Sequence, residues 1–383
     1  MSVYLGSNRV SALGGLIPEL PSASRVAAVR SRWLRFDPSN RKGLVILGGT
    51  YLKQANGIWK VWDSDTQIDL TSDLGSVGTD YFVWLLNDGT VTAATTQPSN
   101  SVKIGRFHTL CVNAGTMTMI APDAPSSGRT VGGNFLVKAY RQDKDPDFYG
   151  FYNKEITGVT VQTYYDKITC AHPLSGFTAG DILPESVFCL TWYPDCLVED
   201  AMVYDRDTDR CVDIYLQSGK GSVTRSAYNA THSVNRQPIN HQGDMRQVGK
   251  RLLRDCEFSS AALGSNERTN ITGSADKTTV GGHVDTANRR MISAIGCEEC
   301  CGYIFQWLDE LGPVGNNTSG WATNKDGHDT FGQLYGEPFV LRAGGAWGDG
   351  AHCGSRSRVA SGMSSGTGGD CGGRGSCAIR MVI

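Results

Sequence analysis

The stretch that decides the fold is residues 341–383, "LRAGGAWGDGAHCGSRSRVASGMSSGTGGDCGGRGSCAIRMVI". Taken as composition, so much Gly and Ser describes a flexible linker. A linker has no use for Trp347, for a series of arginines, or for Cys353, Cys371 and Cys377. Residues of those types belong to a folded segment.

Working outward, 383 residues with 40% hydrophobic content are enough for two or three domains. Lys and Arg total 36 against 38 Asp and Glu, a net charge of −2, and no basic arm or stripe stands out. The electrostatic footprint of a nucleic-acid binder is missing, so no nucleic-acid partner is expected. There is no run of eighteen apolar residues and no charged start followed by an apolar stretch, so neither membrane insertion nor a signal peptide is expected. The twelve irregularly spaced cysteines therefore read as reduced, mostly buried thiols.

Along the chain, turn pairs and β-branched runs predict a mostly β, α+β protein. "DYFVWLLNDGTVTAATT" (80–96) is an apolar run, an Asn87-Asp88-Gly89 turn and an alternating run, which predicts a hairpin. "GLVILGGTYL" and "GIWKVW" predict a strand pair before it, and "VKIGRFHTLCVN" a strand after it. The expected organisation is an N-terminal segment over 1–30 assigned to virion attachment, a small antiparallel β-sandwich over 31–115, and a mostly β intermediate region over 116–180. A C-terminal domain over 181–383 follows. In it, "AMVYDRDTDRCVDIYLQ" predicts a hairpin turning at Asp207 to Asp209, and 241–253 and 254–265 predict amphipathic helices, the second capped by Asp255 and ended by Gly264.

The order "GKRLLRDCEFSSAALGSNE" (249–267), "GCEECCGYIFQWLDELG" (296–312), "YGEPFVLRAGGAWGDGAHCGSRSR" (335–358) and "GGRGSC" (372–377) resembles the C-type-lectin-fold proteins diversified by diversity-generating retroelements. The resemblance extends to "GTDYFVWLLNDGTVTA" and "KIGRFH" and omits the first thirty residues and 116–180. It implies a C-type-lectin-like (formylglycine-generating-enzyme-like) domain at 181–383, with a variable region at about 341–383. It further implies a non-enzymatic adhesin at a phage tail tip or fibre, assembled as a homotrimer. The implied partners are virion tail proteins and a bacterial surface protein or glycan receptor.

In that family "FVLRAGGAW" is a strand of the lectin sheet. Gly344 and Gly345 allow close backbone approach, Trp347 and Arg374 anchor the tail in the core, and Arg356 and Cys377 are further fixed positions. The diversified, ligand-binding positions carry over to Ala346, Gly348, Gly350, His352, Val359, Ser361, Gly362, Gly366, Gly368, Asp370 and Cys371. They are expected on the surface, where change is tolerated. Scrambling the adenines of Asn codons cannot produce Lys, Glu, Gln, Met or Trp, and none of these five occupies any of the eleven positions.

Other chemistries fit the residues less well. His352 beside Cys353 lacks a base and an orienting group at a recognisable spacing. The "CEECC" at 297–301 offers one C-x-x-C pair without a second, short of the four ligands of a structural zinc, so buried thiols are expected. Asp205, Asp207, Asp209 and Asp213 resemble a calcium loop without its sharp-turn Gly or closing Glu, so a solvated hairpin is expected. No cofactor or metal is expected, a structural calcium being the one ion left open. Phe305 and Trp307 are expected in the core. Two rivals share the fold. A formylglycine-generating or sulfatase-modifying enzyme needs a cysteine pair where this chain has Asp349 and Gly354. A calcium-dependent sugar-binding lectin needs a Glu-Pro-Asn type triplet, whereas here Glu337 and Pro338 precede Phe339.

Overall fold

The computed structural model describes residues 32–121, 168–265, 267–270, 291–314, 321–323, 333–335, 337–359 and 366–382. The strand candidates at 134–140 and 158–165 and the first thirty residues lie outside them. Strands dominate. Asp80–Leu86 and Val91–Ala94 form the expected hairpin, with Gly89 at φ 85° in the turn, a conformation an L side chain resists. Thr50–Lys53 pairs with Trp59–Trp62 across "KQANG", as the alternation predicts.

The strands Leu34–Phe36, Gly43–Ile46 and Thr66–Asp69 make a three-stranded antiparallel sheet, with the middle strand paired to both others. It shares a core with a six-stranded sheet through Trp33, Leu34, Leu44, Ile46, Val83 and Phe107. The six-stranded sheet is built on the hairpin and Ser101–His108. It is completed by Phe188–Cys189, Trp192–Pro194 and, at its edge, Ile379–Met381. The last strand of the tail therefore pairs with Trp192–Pro194, on the sandwich side of the molecule.

The second core lies under the C-terminal half and gathers Leu110, Leu183, Val203, Ile214, Phe258 and Leu308 with Cys297, Cys300 and Cys301. The three thiols are fully buried, as the apolar reading requires. A buried polar chain connects the two cores. Asp80 accepts from the Ala201 amide at 3.1 Å and pairs with Arg106 at 3.1 Å and with His108 Nδ1 at 3.3 Å. His108 Nε2 in turn lies 3.1 Å from the Tyr215 hydroxyl. Burial alone would raise the Asp80 pKa, but His108 and Arg106 outweigh it and hold the carboxyl well below the usual range.

Three local expectations change. The first helix, α1, is Pro238–Gln247, with proline in its first turn, and it stops well short of residue 253. Gly249 takes φ 75°, and Arg251–Leu252 becomes a strand against Gly375–Cys377. The buried Lys250 between them reaches Asp213 Oδ1 at 2.6 Å. Long-range pairing thus overrides a helical pattern. The second helix, α2, is Asp255–Ala261, and Gly264 follows it at φ 85°. Its N-cap is Arg254, whose amide donates to the Glu257 carboxylate at 3.0 Å, so Asp255 is the first helical residue and its carboxylate pairs with Arg358. The Met202–Asp205 and Arg210–Asp213 strands form the hairpin with Asp209 at φ 53°. It is not a solvated one throughout: Asp205 and Asp213 are buried, the first accepting from Thr208 Oγ1 and Ser260 Oγ, the second paired to Lys250.

Candidate ligand-display surface

The tail is carried by a four-stranded sheet in the order Gly354–Val359, Glu337–Gly344, Phe305–Val314, Cys371–Gly372. Alternation along the strands gives the sheet two faces. Leu308, Leu341 and Ala343 turn inward to the second core. Phe305, Trp307, Val340, Val359 and Cys371 turn to the other side, where Met245 and Leu252 join them. Phe305 and Trp307 are buried there, as expected of core residues.

The strand Glu337–Gly344 ends where its backbone turns left-handed, at Gly344 (φ 91°) and Gly345 (φ 80°). A Cβ on Gly344 would lie 2.3 Å from the Cys300 carbonyl, and one on Gly345 2.7 Å from Cys353 Sγ, so neither position has room for a side chain. The chain then makes a compact turn. Asp349 Oδ2 accepts from the Ala346 amide at 2.7 Å, and the short 3-10 turn Gly350–His352 follows. Cys353 Sγ donates back to the Ala346 carbonyl at 3.3 Å.

Arg374 lies beneath this surface and is fully buried. Its Nε donates to Gln306 Oε1 at 2.9 Å and Nη1 to the Asp213 carbonyl at 2.7 Å, with further bonds to the carbonyls of Ile214 and Glu298. Burial pulls its pKa down, and Cys300, Cys297, Glu299 and Asp213 push it above the ordinary arginine value, so it stays a cation. One side chain thus joins the tail to Phe305–Val314, to the Asp213 strand and to the "CEECC" segment. Cys377 is buried opposite Cys211 across a strand pair.

Of the eleven positions expected to be diversified, Ser361 and Gly362 lie outside the described residues. Gly348 and His352 are exposed, while Gly350, Val359, Gly366, Gly368 and Asp370 are half-buried. Ala346 and Cys371 are not on the surface: both are buried, in the cluster with Phe305 and Trp307. Ala346 bridges to Tyr303 and Cys371 pairs with Phe305, so sheet pairing draws both inward. Trp347 is also not the core residue expected. It is half-buried, packed at the edge of Leu216, Met291, Tyr303 and Ile304, with its amide donating to the Tyr303 carbonyl at 3.0 Å. Arg356 is half-buried as well.

Two supports were not singled out by motif reasoning. Arg358 holds Gly354–Val359 to α2 through Asp255 and Ser259 Oγ, with its guanidinium 4.9 Å from the Phe258 ring. Glu267 accepts from the Ser355 amide and hydroxyl. Alternation along "SRSRV" separates Arg356 from Ser355 and Ser357, but only tertiary contacts distinguish Arg356 from Arg358.

The tail thiols are poor nucleophiles. Burial pushes Cys353 up to about 11, with Asp349 adding to the effect, and burial likewise raises Cys371 to about 11. Among the described residues no group of three or more His, Cys, Asp or Glu side chains is placed to hold a metal ion. No described helix is long and apolar enough to cross a membrane.

This is a mostly β protein whose C-terminal half carries a C-type-lectin-like sheet and a surface turn held from below. Among solved structures it has the fold of the Major Tropism Determinant. The U1 variant aligns with a TM-score of 0.62 at 20% identity, over 95% of this chain and 86% of its own. The M1 variant gives 0.61 at 20% identity over 95% and 89%, and the I1 variant 0.61 at 20% over 94% and 89%. No protein-family model and no curated protein matches the chain.

Proposed function

We propose that this chain is a phage receptor-binding protein, a non-enzymatic adhesin that displays retroelement-diversified residues on a C-type lectin scaffold. The observation that carries the reading is the separation of display from support. Seven of the nine described diversified positions are exposed or half-buried, whereas Gly344, Gly345, Arg374 and Cys377 are buried. Variation at the first set leaves the frame intact, as a repertoire of binding surfaces requires. The codon-compatible tail and the fold of proteins named for determining tropism point the same way.

On this reading the protein sits at a tail tip or fibre, contacts virion tail proteins, and binds a bacterial surface protein or glycan. Assembly as a homotrimer suits it, because this draw of small residues makes a weak site and linked sites gain avidity of about 10²–10⁴-fold. The buried, protonated tail thiols disfavour the formylglycine-generating alternative.

The test is adsorption of the purified protein to a panel of bacteria. Replacing Gly348, His352, Gly368 and Asp370 together with Tyr or Asn is expected to change which cells are bound while the melting curve stays near the parent's. Adsorption indifferent to these changes would sink the proposal. The DNA downstream of the gene supplies a second check, since a near-copy of the tail segment with Asn codons at the eleven positions and a reverse transcriptase gene are expected there.

A further inference from the structure

Several arginines of the C-terminal half have partners that explain them: the partly buried Arg358 has Asp255, Arg251 has Glu257 and Arg236 has Asp244, and the fully buried Arg374 has its carbonyls. Arg342 is different. It is half-buried on Glu337–Gly344, in register between Trp307 on one neighbouring strand and Val359 on the other. Its guanidinium carbon lies 4.8 Å from the Phe305 ring centroid and 5.4 Å from that of Trp307. Nη1 donates to Cys371 Sγ at 3.4 Å, and Nε is buried without a hydrogen-bond partner. Among the described residues no carboxylate pairs with it.

A cation held over two aromatic faces is positioned and partly dehydrated. One carboxylate, Asp370, reaches it only through the Cys371 thiol, its Oδ1 accepting from Cys371 Sγ at 3.4 Å. The guanidinium therefore has no direct counter-charge among the described residues, and the arrangement is incomplete, because a thiol replaces little of the hydration lost. The planar fork of donors matches a carboxylate, whose two oxygens accept side by side. Two residues beside Arg342, Val359 in register and Cys371 in contact, are diversified positions, whereas Arg342 is not. The geometry therefore points to a fixed anion-reading contact inside the variable surface.

Building on the receptor-binding reading, we infer that Arg342 is a constant anchor for a carboxylate on the receptor, carried by an acidic saccharide such as a uronic acid. A sugar is favoured over an acidic peptide by the surroundings. Phe305 and Trp307 are only 7% and 2% exposed, so among the described residues these two rings offer no open apolar face to a peptide side chain. On the Cys371 side of Arg342, Gly368 and Gly369 are half-buried and carry no side chains, so backbone groups there are left to donate to or accept from hydroxyls.

The experiment titrates the full-length protein, followed by tryptophan fluorescence and by retention on immobilised polymer. The probes are polygalacturonate, dextran as its neutral counterpart, and poly-glutamate as a peptide-borne carboxylate. Polygalacturonate is expected to bind in a salt-sensitive way and dextran not to bind. Arg342→Gln should weaken the uronate at least about tenfold, the worth of one charge-assisted bond. Arg342→Lys, which keeps the charge and loses the fork, should fall between. Circular dichroism and the melting temperature show whether each variant is folded; if Arg342→Gln is not, the Arg342→Lys arm decides. Three results overturn the inference: no polygalacturonate binding, binding unchanged in the folded variants, or preference for poly-glutamate. If the protein still adsorbs to bacteria through its tail while ignoring uronates, the anchor is wrong and the adhesin reading stands. If it adsorbs to nothing, that reading fails too.

Discussion

Replacing Arg374 by Met removes the donor at the centre of the tail and leaves a side chain of similar length. Three acceptors then lose their bond: Gln306 Oε1 and the carbonyls of Asp213 and Glu298. The Ile214 carbonyl keeps a second donor, the Glu298 amide at 2.8 Å, and loses less. At about 1–1.5 kcal/mol for each orphaned buried acceptor, the cost comes to about 3–5 kcal/mol. That is a large part of the ~5–15 kcal/mol by which domains are stable. The assay is urea unfolding followed by far-ultraviolet circular dichroism, with hydrogen exchange at Gly375–Cys377, the strand next to the lost side chain. Arg374→Lys should be intermediate. Arg374→Met combined with Gln306→Leu should cost less than the sum of the single changes, because the second substitution removes one orphan. An Arg374→Met protein within about 1 kcal/mol of the parent, with unchanged exchange, would refute the reasoning.

Other expectations can be measured on the same preparation. Gly344→Ala, blocked by the Cys300 carbonyl and by positive φ, should lower the melting temperature markedly, whereas Gly348→Ala, with open space around it, should stay within about 0.5 kcal/mol of the parent. Trp347→Ala should cost about 1–2 kcal/mol by chemical denaturation, short of the cost of an emptied core site, because the ring is only half-buried. Burial, and after it Arg236, lowers His241 to about 4 from an ordinary value near 6.5. The unfolded chain therefore takes up the proton first. This contribution is complete above about pH 6.5 and is lost as pH falls toward 4, amounting to about 3 kcal/mol. Unfolding curves at pH 7 and 5 should show the decline, and His241→Asn should flatten it.

Local signals in the chain were strong where one stretch contains its own partner. The hairpin at 80–94 and the turn at Asp207 to Asp209 are such cases, since alternation and turn chemistry act between near neighbours. Of the supports that the family resemblance implied, Gly344, Gly345 and Arg374 are buried, whereas Trp347 is only half-buried. Burial was less legible. Ala346 and Cys371 look no different in the sequence from their exposed neighbours, yet bridges to Tyr303 and Phe305 take both inward. Arg251 and Leu252 continue a helical pattern, and only the Gly375–Cys377 strand, more than a hundred residues away, makes them a strand.

The sequence by itself determined the mostly β character, the short-range turns, the burial of "CEECC" and the presence of a structured tail under its glycines. Tertiary structure alone decided which arginines are paired. Arg342, Arg358 and Arg374 are alike as letters; one is fully buried among carbonyls, one bound to α2, and one left over two aromatic rings without a carboxylate. The reason is physical: a guanidinium's state depends on acceptors brought to it by strands distant in sequence, and no local pattern records which carbonyl or carboxylate will arrive.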